Sequence, residues 1–236
     1  MSSLLAGKAL PPPPVSVDYT VGMPSDLGAL LNDRLGDCTC AAWGHAVQVW
    51  SFNAQGAMQT LPDQDIERLY QTVGGYVPGN PATDNGAVEQ DVLSYLARTG
   101  LDGNRLAAFV EVDPRNTDDV KRAICWSGVA YIGILVPSFL MSSMTSPGST
   151  WDLDLGGDQR IEGGHAVILA GYDADAVYVI SWGNRYRMTW RFFAQFCEEV
   201  YALADETWIR TTGLSPAGLS LVDLESQMQA IREAGL

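Results

Sequence analysis

LLNDRLGDCTCAAWGH, residues 30–45, is the stretch on which the reading of this chain turns. A Gly36-Asp37 pair breaks the chain just before Cys38. Beyond it, Trp43, Val47 and Trp50 recur at spacings of four and three, which predicts a helix over about 39–53. Cys38 therefore sits where that helix begins. Free backbone N–H groups and the helix dipole favour negative charge there, and the thiolate is the reactive form of cysteine. A cysteine nucleophile also needs a base within hydrogen-bond reach. The chain offers two histidines, His45 and His165. His45 lies two helical turns beyond Cys38, about 11 Å along the axis, too far for proton transfer. That leaves His165, at the head of the apolar run HAVILAGY.

Working outward, residues 1–31 read as an irregular leader, with Pro11 to Pro14 favouring an extended polyproline segment. A second helix starts near Pro62, with Asp63 and Asp65 in its first turn and Ile66, Leu69, Tyr70 and Val73 facing inward. The loop GGYVPGNPATDNG is rich in turn formers. A third helix is expected over about 87–99 and a short one over 117–125, opening at Thr117. The pattern then changes. GVAYIGILV (128–136), HAVILAGY and AVYVISW read as strands, the last two joined by the turn DAD. TWRFFAQFCEEVYAL is expected as helix and ETWIRTT as a final strand. Leu221, Leu224, Met228 and Ile231 stand at helical spacing in the tail. Helices followed by sheet is the order of an α+β protein with two lobes.

The composition narrows the function. There are 28 acidic residues against 14 Lys plus Arg, a net charge of −14, so the basic footprint of a nucleic-acid-binding protein is missing. No apolar run is long enough for a membrane span, and the N-terminus lacks the features of a secretory signal. A cytoplasmic protein, or one carried in a phage virion, is expected. The four cysteines, without a signal, read as reduced thiols. Two histidines and no CxxC pair argue against a zinc site, and neither metal nor cofactor is expected.

The motifs together resemble the papain-like cysteine peptidases. GDCTCAAW is similar to the family's Gly-Ser-Cys motif at the start of its central helix, with Cys38 rather than Cys40 in the nucleophile's register. HAVILAGYD resembles the His-Ala-Val strand, SWG (181–183) the Asn-Ser-Trp-Gly motif, LPDQDIERLY the second helix, and TDNGAVEQDVLSYLARTGL the segment lining the substrate cleft. The family spacing of about 130 residues between cysteine and histidine compares with 165 − 38 = 127 here. NDRLGDCT with GGHAV, followed by SWG and MTWRFF…CEE, more closely resembles papain-like proteins of bacterial and phage genomes. The resemblance implies a helical lobe over about 32–126 and a lobe of antiparallel sheet or barrel over about 127–213; beyond it, the spacing of the tail predicts an accessory C-terminal helix in 214–236. It implies Cys38 as nucleophile, His165 as general base and acid, and Asn32 as oxyanion donor. It puts Asn85, Gly86, Gly164 and Trp182 in the substrate cleft.

There are departures. Asn32 stands where the family has glutamine, and its stem is one methylene shorter. The asparagine that orients the histidine falls on Ile180, which cannot hydrogen-bond a ring nitrogen. Asp37 beside Cys38 would raise the thiol pKa. Only 37 residues precede Cys38, so no inhibitory propeptide of the family's kind is expected. Three readings stay open: a weak or narrow thiol hydrolase of peptide or isopeptide bonds, a non-catalytic relative acting as a structural or binding protein such as a virion component, and an acyl transferase. The partner is accordingly a polypeptide substrate or an assembly partner, with an oligomer or virion as the setting of the second reading.

Overall fold

The computed structural model describes residues 12–216, together with 218, 220 and 222. The tail stripe of Leu221, Leu224, Met228 and Ile231 lies outside the described residues. The fold is α+β, as expected. Helix α1 (Cys38–Gln55) is buried on nearly every side and ends at Gly56 in the left-handed conformation. α2 (Asp63–Gly74) follows Pro62 with two aspartates in its first turn. α3 (Glu89–Arg98) buries Val92, Leu93 and Leu96. α4 (Thr117–Ser127) is capped by Asn116, whose side-chain oxygen accepts from the Asp119 N–H at 3.3 Å, one residue earlier than the sequence suggests.

The sheet has the order β2-β8-β3-β5-β6-β7-β4, with β1 paired to β5. The strands are β1 (Val17–Asp18), β2 (Leu106–Glu111), β3 (Ala130–Pro137), β4 (Thr150–Trp151), β5 (Ile161–Tyr172), β6 (Ala176–Ser181), β7 (Asn184–Thr189) and β8 (Cys197–Asp205). All pairings are antiparallel except β4 with β7. Alternate residues feed two hydrophobic clusters, as the pleat requires. Ala166, Ile168, Ile180, Tyr201 and Leu203 join the one built around α1, α2 and α3. Val167, Leu169, Val177, Val179 and Val200 join the other, which takes in α4 and the aromatic residues Phe192, Phe193 and Phe196.

Three expectations change. The run expected as one helix over 189–203 splits into α5 (Trp190–Phe196), capped by Thr189, and strand β8. Helix-favouring Glu and Ala in β8 are overruled because the strand is paired on both sides, with β2 and β3. ETWIRTT is helix α6 (Glu206–Thr212), not strand. The Asp205 carboxylate accepts from the Trp208 N–H at 2.6 Å, Glu206 pairs with Arg210 one turn on, and Gly213 ends the helix in the left-handed region. Finally, the stretch expected as an irregular leader contains β1, and buries Met23, Leu27 and Leu30 in the α1 cluster.

Candidate active site

The site forms where α1 begins against β5. Cys38 is the first residue of α1, and β5 turns from exposed to buried at His165. Two ties fix the helix start. Tyr131 of β3 donates from its hydroxyl to the Thr39 carbonyl at 2.8 Å. The Gly36 N–H donates to the Asp84 carboxylate at 2.9 Å, and the same oxygen accepts from the Tyr70 hydroxyl at 2.7 Å. Tyr70 in turn accepts from the Gly86 N–H at 2.9 Å, so the loop before α3 is pinned beside the loop before α1.

Asn32, Cys38, Asn85, Gly86, Gly164, His165 and Trp182 all line one cleft of about 480 Å³, together with Gly36 and Asp84. The candidate nucleophile, base, oxyanion donor and cleft residues read from the sequence thus line one cleft. His45 is elsewhere: it is buried, with Nδ1 2.9 Å from Gln48 Oε1. Cys40, Cys125 and Cys197 are free thiols outside the cleft lining. No group of three or more potential metal-ligating side chains occurs among the described residues. No helix among them is long and apolar enough to cross a membrane.

The His165 ring lies against Trp182, with centroids 4.4 Å apart and planes 10° apart. Trp182 has a positive φ of 48°, and Gly183 beside it approaches Gly28 so closely that a Cβ would sit 2.7 Å from its backbone. The ring's Nε2 lies 2.8 Å from Ser181 Oγ. Ser181 is the ring's hydrogen-bond partner that the sequence reading missed. Ile180 instead faces the opposite cluster, as strand alternation dictates. Val177 and Val179 mark the sheet face that Ser181 shares with His165, so the period of two along AVYVIS carried the signal. Asn184 does not reach the ring; its side chain donates to the Trp182 carbonyl at 2.9 Å.

Asn32 differs from expectation in orientation. Its amide nitrogen donates to the Leu35 carbonyl and to Asp37 Oδ1, both at 3.2 Å, so both amide hydrogens are committed and the side chain is not presented as an oxyanion donor.

Burial governs the electrostatics. It pushes the Cys38 thiol up to about 11; the carboxylates of Glu89 and Asp37 add to the rise, while backbone hydrogen bonds from Ala166 and Thr39 oppose it. The contact with Ala166, the residue after His165, puts the thiol at the buried start of β5. Burial also lowers His165 to about 4. At neutral pH the site therefore holds a thiol and a neutral imidazole.

A thiol opening the central helix, an imidazole on the facing strand and a tryptophan over that ring define a papain-like cysteine-peptidase fold. Solved structures agree in architecture. Xylellain, a cysteine protease from Xylella fastidiosa, matches with a TM-score of 0.61 at 18% identity over 86% of this chain and 89% of that one. Digestive procathepsin L 3 of the Tenebrio molitor larval midgut matches with a TM-score of 0.59 at 17% identity, over 85% and 72%. The Carica candamarcensis cysteine protease CMS1MS2, in complex with E-64, matches with 0.56 at 15% identity, over 81% and 98%. No family model matches the sequence. No curated protein matches it either. Identities this low carry the fold alone.

Proposed function

We propose that this chain is a thiol hydrolase of peptide or isopeptide bonds, with Cys38 as nucleophile and His165 as general base and then acid. The observation supporting this is the convergence of Cys38, at the open start of α1, and His165, braced by Ser181 and Trp182, in one cleft. When Nε2–H donates to Ser181 Oγ, Nδ1 is free to take the Cys38 proton. The thiolate attacks the carbonyl carbon, and the carbonyl oxygen takes the negative charge. The Cys38 N–H at the helix start is a donor for that oxyanion. Asn32 becomes a second donor only by turning away from Leu35 and Asp37. The imidazolium then protonates the leaving amine as the C–N bond breaks. Water, deprotonated by His165, hydrolyses the acyl-thioester and returns the thiol.

The raised thiol and lowered imidazole disfavour the ion pair, so the reaction is slow. The partner is a polypeptide. A place in the bacterial and phage branch rests on the sequence motifs NDRLGDCT, GGHAV, SWG and MTWRFF…CEE alone. The test compares the protein with its Cys38→Ala variant on a peptide library and on isopeptide-linked conjugates. Slow cleavage of a few members by the unaltered protein alone is the expected result. Identical behaviour of the two proteins would move the assignment to a non-catalytic binding or structural role.

A further inference from the structure

Asp37 is a carboxylate that the proposed chemistry does not use. It sits between the two groups that chemistry depends on, directly before Cys38 and bonded to Asn32. Its side chain is fully buried, at 0% exposure. One oxygen accepts from Asn32 Nδ2, and Oδ2 has no hydrogen-bond partner. As the residue before α1 it could cap the helix with its side chain, yet it makes no such bond. A buried, half-satisfied carboxylate is costly unless something offsets it.

We propose that Asp37 is a positioning residue that makes this cleft sensitive to pH: ionised, it holds the Asn32 amide inward and opposes a thiolate at Cys38, and protonated, it relaxes both constraints. This rests on the catalytic reading of Cys38 given above. The groups around Asp37 point the same way. Asp33 in its own loop and Asp84 in the loop before α3 are both acidic and push its titration upward. Tyr70 of α2 is bonded to Asp84. Cys38 and Cys40 of α1 both feel its charge, and Glu89 of α3 adds a further negative charge near Cys38. His165 of β5 shares the cleft with Asn32 and is neutral above about 4. Burial is the largest influence on Asp37 and, against the bond from Asn32, brings its titration to about 7. The sign follows. As pH rises through about 7, Asp37 ionises, its grip on the Asn32 amide becomes charge-assisted, and the thiolate at Cys38 becomes harder to form.

The experiment reads Cys38 itself. The rate of its alkylation by iodoacetamide, mapped by mass, is followed from pH 5 to 9 in the full-length protein and in Asp37→Asn. In the unaltered protein the rate rises with pH but flattens near pH 7. In the variant it rises without a break and is about tenfold faster above pH 8, the equivalent of one pKa unit, while the two coincide below pH 6. A constant offset across the range, or identical profiles, would overturn the proposal, since a merely structural role gives no break. The carboxyl carbon of Asp37, observed by NMR in the unaltered protein, should titrate near pH 7. That reading stands even if the variant does not fold, and a midpoint below 5 would overturn the proposal. Hydrolysis is measured on the same samples. A break in alkylation without any hydrolysis would sink the catalytic assignment and keep the Asp37 proposal, and hydrolysis without a break would do the reverse.

Discussion

Ser181 Oγ stands 2.8 Å from Nε2 of His165, in the role that the family resemblance assigned to position 180. A hydroxyl can accept from Nε2–H and so leave Nδ1 as the base, which is the tautomer a cysteine nucleophile requires. Replacing Ser181 by Ala removes that brace. The expected result is a kcat lowered about tenfold with KM little changed, matching the ~1.5 kcal/mol of one hydrogen bond to a ring that becomes charged in the reaction. Steady-state kinetics of Ser181→Ala checks it, and unchanged kcat would remove Ser181 from the mechanism.

Restoring the asparagine of the resemblance at position 180 should not help. Ile180 is 1% exposed and packed in the α1 cluster, on the sheet face away from His165. Ile180→Asn buries an amide without a partner and gives up apolar packing, at a cost of about 3 kcal/mol. Denaturant unfolding should register the loss, with no gain in activity. A more active variant of undiminished stability would show that position 180 can turn toward the ring.

His45 and His165 are both held neutral by burial, each lowered to about 4 from the usual 6.5. Between those values the unfolded chain binds protons that the fold does not. Their contribution is therefore fully present above about 6.5 and is lost as pH falls toward 4, about 3 kcal/mol for each. Asp37 acts in the opposite sense. Raised from 3.8 to about 7, it costs stability as pH climbs across that interval. Melting curves from pH 7.5 to 4.5 should fall less steeply for His45→Gln than for the unaltered protein. Parallel curves would contradict the burial of a neutral His45.

Gly183 combines a φ of 72° with close backbone contact to Gly28, and its carbonyl accepts from the Leu27 N–H at 2.9 Å. Gly183→Ala should cost about 2–3 kcal/mol from the left-handed conformation and the contact together. It should also loosen Trp182 over His165, so the imidazole pKa measured by NMR should rise above about 4. An unmoved imidazole would mean that Trp182 is held independently of Gly183.

Much of this was legible in sequence because it is local. Cys38 after Gly36-Asp37, Pro62 before two aspartates, and the apolar runs at 130–137 and 165–172 each carry their own signal. The strand β8 was not legible. Its Glu-Glu-Val-Tyr-Ala-Leu segment suits a helix, and only pairing with β2 and β3, distant in sequence, makes it a strand. α6 was hidden in the opposite way: Trp208 and Ile209 read as strand formers, and the Asp205 cap decides the matter. The candidate site residues converge as motif order suggested. Ser181 was within reach, since the period of two along AVYVIS puts it on the face of β6 that meets His165, whereas the inward turn of Asn32 was not, because it depends on a buried Asp37.

The central claim is that Cys38 is a nucleophile served by His165. Labelling with an epoxide thiol inhibitor, followed by mass mapping of the adduct in the unaltered protein and in His165→Ala, tests it most directly. The account predicts one adduct, on Cys38, forming at least about tenfold more slowly without the imidazole. Labelling that is absent, that spreads equally to Cys125 and Cys197, or that is indifferent to His165 would contradict it.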